Sequence, residues 1–236
     1  MPWDFWFIFL LLAVVLPWRG RMRVRRLLAK PRVDTRERLV LYASTIAMQW
    51  ALVAVIGWRA RVHQISRQQM GLVLQQPIKT AIMALIGAAI IGAWQWLNLR
   101  RVGKLKAPGT NLLRELASRI LPQSKMELLP YSALAVTAGL CEEFIYRGFV
   151  FAVFTGMDLP LWLVVLASSV LFGLAHLYQG AGGFVSTLVI GTVFGVARIA
   201  YDSLIPVMVW HTAIDLVAGM AGPKYLTEPE PASFKA

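Results

Sequence analysis

Residues 131–154 read YSALAVTAGLCEEFIYRGFVFAVF, an apolar run interrupted near its middle by Glu142, Glu143 and Arg147. A helix of that length rises about 36 Å, enough to cross the roughly 30 Å hydrocarbon layer of a bilayer. The rest of the chain agrees with a membrane setting. Of its 236 residues, 58% are hydrophobic and 15% charged, more apolar surface than one soluble core of this size hides. Six further runs of suitable length lie outside this one, at 3–18, 39–58, 80–99, 160–178, 182–200 and 203–222. The pattern predicts an all-α membrane protein of about seven transmembrane helices, the first the shortest. That first run is read as a retained span and not a signal peptide, because it carries Asp4 and its arginines follow the apolar stretch.

The chain has 24 Lys and Arg against 12 Asp and Glu, a net charge of +12. The basic residues gather in the linkers between apolar runs, where they meet anionic headgroups and not a nucleic acid. Residues 19–38 hold nine, 100–130 hold seven and the segment after Gly222 holds two, whereas the alternate segment 59–79 holds four. The positive-inside rule therefore puts the N-terminus outside and the C-terminus in the cytoplasm. Trp3, Trp6, Trp18, Trp58, Trp94, Trp96 and Trp162 fall near run ends, as an aromatic belt requires. Between the third and fourth spans, Leu112, Leu113, Leu116 and Ile120 recur opposite Arg114, Glu115, Ser118 and Arg119, which predicts a short interfacial helix. Small residues at four-residue spacing, Ala84, Ala88 and Gly92 and then Gly191 and Gly195, favour close helix approach. The single cysteine, Cys141, excludes an intrachain disulfide and a CxxC metal site.

Ionisable side chains inside spans are costly and are by default functional or paired. They form a short set: Glu142, Glu143 and Arg147 in the fourth span, His176 in the fifth, His211 and Asp215 in the seventh. The remaining histidine, His63, lies in an outer loop and is given no role. On a helix Glu143 and Arg147 share a face, while Glu142 points about 100° away and lacks a partner in its own span. His176 and His211 supply the titratable nitrogens to meet it, and Asp215, four residues after His211, stands where it could orient that ring. One carboxylate and two imidazoles converging in a low-dielectric site can activate water. In one version Glu142, His176 and His211 hold zinc with an open position for water. In another no metal is needed: Glu142 with His176 deprotonates water, and His211, held by Asp215, stabilises an oxyanion. The cofactor is thus none or zinc. Phe172 is read as a packing ring, and Ser168 and Ser169 lack the setting of a nucleophile. A proton- or ion-coupled transporter and a non-catalytic scaffold are the rival readings of the same charges; the repeats and matched broken helices that transporters show are not evident.

In order and spacing these residues resemble the CAAX-protease and bacteriocin-processing family of membrane proteases, also called CPBP or Abi. Its EExxxR motif corresponds to Glu142, Glu143 and Arg147, its FxxxH motif to Phe172 and His176, and its HxxxN or HxxxD motif to His211 and Asp215. The resemblance covers about residues 110–222. It implies a peptidase whose site opens to the cytoplasmic half of the membrane, with Glu142 and His176 activating water and with Glu143 and Arg147 as a structural brace. It further implies a peptide or protein substrate in or at the membrane, and the expected location is the bacterial cytoplasmic membrane. An ionised Asp215 cannot donate to an oxyanion as Asn would, so its implied role is to orient His211 or to bind a metal. The expected division is 1–106 for three helices with basic loops, 107–222 for the catalytic core and 223–236 for a disordered cytoplasmic tail. One feature fits poorly: Glu142 and His211 would lie about 15 Å from the inner surface, and His176 near it. Either the turn 179–183 is sunk into a water-filled funnel or the boundaries shift by a turn or two.

Overall fold

The computed structural model describes residues 1–104 and 111–227. The expected boundary between 106 and 107 lies outside them, as does the part of the expected disordered tail, 223–236, beyond 227; its first residues, 223–226, continue the last helix. Each of the seven apolar runs forms a helix, and the interfacial helix forms between the third and fourth. In chain order they are α1 Trp3–Leu28, α2 Thr35–Val62, α3 Pro77–Lys104, α4 Asn111–Ile120, α5 Lys125–Thr155, α6 Leu161–Ala175, α7 Gly180–Tyr201 and α8 Ile205–Leu226. Six of the seven are long and apolar enough to cross a membrane; α6, with 15 residues, is the shorter one.

The expectation that the first span is the shortest is corrected. The helix runs 26 residues, on through Arg19–Arg26, because arginine is a good helix former and outweighs the single glycine there, Gly20. Pro17 lies inside it, just after a π-helical segment, Leu11–Val15. The widened turn is where the ladder accommodates a residue that has no N–H to donate. The start of α2 is set by a capping box, in which Asp34 Oδ1 accepts from Glu37 N at 2.7 Å and Glu37 Oε2 accepts from Asp34 N at 3.2 Å.

Helix α5 packs against α2 and α8, α8 lies along α3, and α6 pairs with α7. The largest apolar cluster joins Phe5, Ile8 and Leu12 of α1 to Ile56 and Ala60 of α2 and to Ile145, Phe149 and Val153 of α5. Close approach of α3 and α8 depends on small residues, as expected, but Gly87 matters as well. A side chain there would collide with Trp210, whose indole N–H donates to the carbonyls of Met83 and Ala84, both at 3.2 Å. The tryptophans expected at run ends are all exposed, whereas Trp210 is buried.

One end of the bundle is basic and well tied. Arg38 Nε donates to Glu127 Oε2 at 2.9 Å, Tyr42 OH to the Ile120 carbonyl at 2.7 Å and Arg23 to the hydroxyls of Ser44 and Thr45 at 2.6 and 3.2 Å. Helix α4 seals this end, with Leu116 and Ala117 buried and Arg114 donating to the carbonyl of Gly103 at 2.9 Å.

The length of α6 bears on the depth of His176. From Pro160 at the opposite end it rises only about 22 Å, short of the roughly 30 Å layer. Its C-terminus, a 3-10 turn Leu177–Gln179, and Gly180 in the left-handed region at φ 82° therefore stop below the basic end. Gly20 of α1 abuts Tyr178 there, and Leu112 of α4 covers Gly180. The apolar run 160–178 thus loses its last three residues to the turn, and residues 180–183 open α7.

Candidate active site

Helix α5 changes winding at the site. Its α-helical part ends at Glu143 and a π-helical segment, Phe144–Val150, follows. A π turn displaces carbonyls from the regular ladder, and the Tyr146 carbonyl accepts instead from Ser168 Oγ of α6 at 2.8 Å. Ser168 is thus a structural donor, and Ser169 bonds within its own helix to the Val165 carbonyl at 2.7 Å.

Glu143 and Arg147 are both fully buried and paired, with Nη1 to Oε1 at 3.1 Å. The guanidinium sits 4.3 Å from the centre of the Phe172 ring and against Gly191, where a Cβ would stand 2.8 Å from Nη2. Gly191 thus makes room for a charge as well as for a helix. The same Glu143 Oε1 accepts from His211 Nδ1 at 2.8 Å. Glu143, from another helix, thus holds the His211 ring at Nδ1, while Asp215, expected to orient it, has Oδ2 3.7 Å from Nε2 on the other edge.

His176 caps the end of α6, and its Nδ1–H donates to the Phe172 carbonyl at 2.9 Å. That fixes the tautomer and turns Nε2 toward Glu142. Glu142 Oε2 lies 3.8 Å from His176 Nε2 and 4.0 Å from His211 Nε2, and it has no protein hydrogen-bond partner. Its other oxygen, Oε1, accepts from Gln49 Nε2 of α2 at 2.8 Å. Gln49 was not singled out from the sequence. Phe172 packs on both imidazoles, at 4.6 and 5.7 Å between ring centres, as a packing ring should. Exposure rises from Glu143 at 0% through His211 at 9%, His176 at 16% and Glu142 at 18% to Asp215 at 32%, so the site opens past Asp215.

Zinc ligands about 2.0–2.1 Å from the metal stand roughly 3.4 Å apart in a tetrahedral set, against 3.8 and 4.0 Å from Glu142 Oε2 to His176 Nε2 and His211 Nε2. Among the described residues no three His, Cys, Asp or Glu side chains are gathered as metal ligands. A water about 2.8 Å from Glu142 Oε2 and from either Nε2 atom fits these separations at an angle near 90°. Elsewhere, Cys141 is buried on another face of α5, and His63 joins Asp4 and Arg59 at the far end of the bundle.

Comparison with known proteins gives a family match over residues 124–217, to the family described as type II CAAX prenyl endopeptidase Rce1-like. No curated protein and no solved structure matches the chain. The matched segment runs from the residue before α5 into α8 and contains all six of Glu142, Glu143, Arg147, His176, His211 and Asp215, so over this stretch the chain is similar to the Rce1-like protease family, in agreement with the resemblance of the three motifs.

Proposed function

We propose that the protein is an intramembrane endopeptidase that hydrolyses a membrane-anchored or membrane-adjacent peptide with Glu142 as the base. The observation that carries this reading is the position of Glu142 Oε2, a carboxylate oxygen without a protein partner that faces two imidazole nitrogens. Water held between Glu142 Oε2 and His176 Nε2 loses a proton to the carboxylate as its oxygen attacks the scissile carbonyl carbon. His211 stabilises the oxyanion that forms. A protonated ring at 211 is flanked by Glu143 on Nδ1 and by Asp215 and Glu142 near Nε2, which neutralise its charge while Nε2–H faces the oxyanion. The C–N bond then breaks, and the proton taken by Glu142 passes to the leaving amine. Glu143 and Arg147 brace the two rings and touch no reacting atom.

No step in this scheme runs through a metal. Turnover of the purified protein should persist after dialysis against a chelator; activity lost on chelation and restored by zinc would move water activation to a metal. Glu142→Gln, nearly isosteric but unable to take up a proton, should abolish cleavage of a lipid-anchored peptide while the protein still inserts and melts as the parent does. Full cleavage by that variant would overturn the proposed mechanism.

The four core helices α5 to α8 form the catalytic unit in this reading, with α1 to α3 as a supporting set. The distribution of basic residues supports a cytoplasmic placement for the end that carries α4 and the His176 turn, so substrate reaches the site from that side.

A further inference from the structure

Outside residues 124–217, the N-terminal helices contribute one polar side chain to the site. Gln49 lies in α2, is buried at 8% exposure, and donates from Nε2 to Glu142 Oε1 at 2.8 Å. Because a carboxylate only accepts, the amide nitrogen must be the atom that faces it. Among the described residues this is the one hydrogen bond to the Glu142 side chain: Arg147 is committed to Glu143, and both histidines stand beyond hydrogen-bond reach.

We propose that Gln49 is a positioning residue for Glu142, holding Oε1 so that Oε2 is aimed at the space between His176 and His211. The inference rests on Glu142 acting as base. The terminal torsion of a glutamate is broad and nearly twofold, so an untethered carboxylate would sample orientations that present neither oxygen to the two rings. An amide is suited to the task. It fixes one oxygen without bringing a positive charge that would compete for the proton, as a lysine or arginine in its place would. A purely packing role accounts poorly for the residue, since an apolar side chain of the same size would fill the space without burying an amide. Gln49 Oε1 is itself buried without a protein partner, a cost that packing leaves uncompensated.

The test compares Gln49→Met, similar in size with no donor, and Gln49→Asn, a donor on a shorter stem, with Glu142→Gln as control, in full-length protein cleaving one lipid-anchored peptide. The expected result is a kcat for Gln49→Met lower by about 10- to 100-fold, the range for losing a group that orients a functional residue. KM should stay within about twofold, the melting midpoint should be unchanged, and Gln49→Asn should recover part of kcat. Parental kcat in Gln49→Met overturns the inference. So does an equal loss in both variants accompanied by a raised KM or a lowered melting midpoint, which marks a packing role. The control keeps the two readings apart. An inactive Glu142→Gln beside a fully active Gln49→Met removes only the role of Gln49, whereas an active Glu142→Gln removes the base itself.

Discussion

Asp4, Arg59 and His63 at one end of the bundle and Glu143, Arg147 and His211 at its centre are the same three kinds of group. In the first, Arg59 Nε meets Asp4 Oδ2 at 2.6 Å, and His63 Nε2 lies 3.1 and 3.0 Å from the two carboxylate oxygens. Both oxygens are used, and Phe5 covers the ring at 4.7 Å between centres. In the second, Glu143 likewise joins an arginine to an imidazole through Oε1. Here, however, Glu143 Oε2 and two of the Arg147 nitrogens are buried without hydrogen-bond partners, and the triad has neighbours. Glu142 and His176 stand beside the central triad, and Glu142 keeps one oxygen without a partner. A saturated triad ties helices together, while a triad next to an unsatisfied carboxylate supplies oriented groups for chemistry.

That contrast is open to breakage in order of severity. His176→Ala removes the group that positions water against Glu142 and should lower kcat by about 10²- to 10⁴-fold with an unchanged melting midpoint. A loss below tenfold would separate His176 from the reaction. Arg147→Met removes the guanidinium partner of Glu143, which is buried at 0% exposure. It should cost about 3–5 kcal/mol, read as a marked fall in melting midpoint in detergent, with turnover lost as His211 drifts. A midpoint within a degree of the parent would contradict the brace. Asp215→Asn acts on the most exposed member, 3.7 Å from His211 Nε2, and should reduce kcat by less than about tenfold. An effect as large as that of His176→Ala would return Asp215 to the role of principal orienter. Asp4→Asn should leave turnover within about twofold and cost at most about 1 kcal/mol, since Arg59 is partly exposed and solvent screens the pair. A large loss of turnover there would erase the difference between the two triads.

Much of the site was legible because charges inside apolar runs stand out. Glu142, Glu143, Arg147, His176, His211 and Asp215 needed only that contrast and their spacing, and α4 needed only its amphipathic period. Three features were not readable in this way. Gln49 is uncharged, although it is the one amide within 39–58, and that signal could have found it. The π-helical segment 144–150 has no residue that marks it; what stabilises it, a hydroxyl from Ser168, comes from another helix. The choice between Glu143 and Asp215 for the His211 ring depended on cross-helix geometry, where spacing along one helix offers both. The apolar run 160–178 also overstated its helix, because the regular winding ends at Ala175 and gives way to His176, a 3-10 turn and Gly180 at positive φ before the hydrophobicity ends.

The central claim, that Glu142 is the base and that its setting separates the two triads, is most directly tested by measuring cleavage of one lipid-anchored peptide by purified Glu142→Gln and Asp4→Asn proteins of equal melting midpoint. The account predicts no detectable cleavage by the first and near-parental cleavage by the second. Sustained cleavage by Glu142→Gln would contradict it.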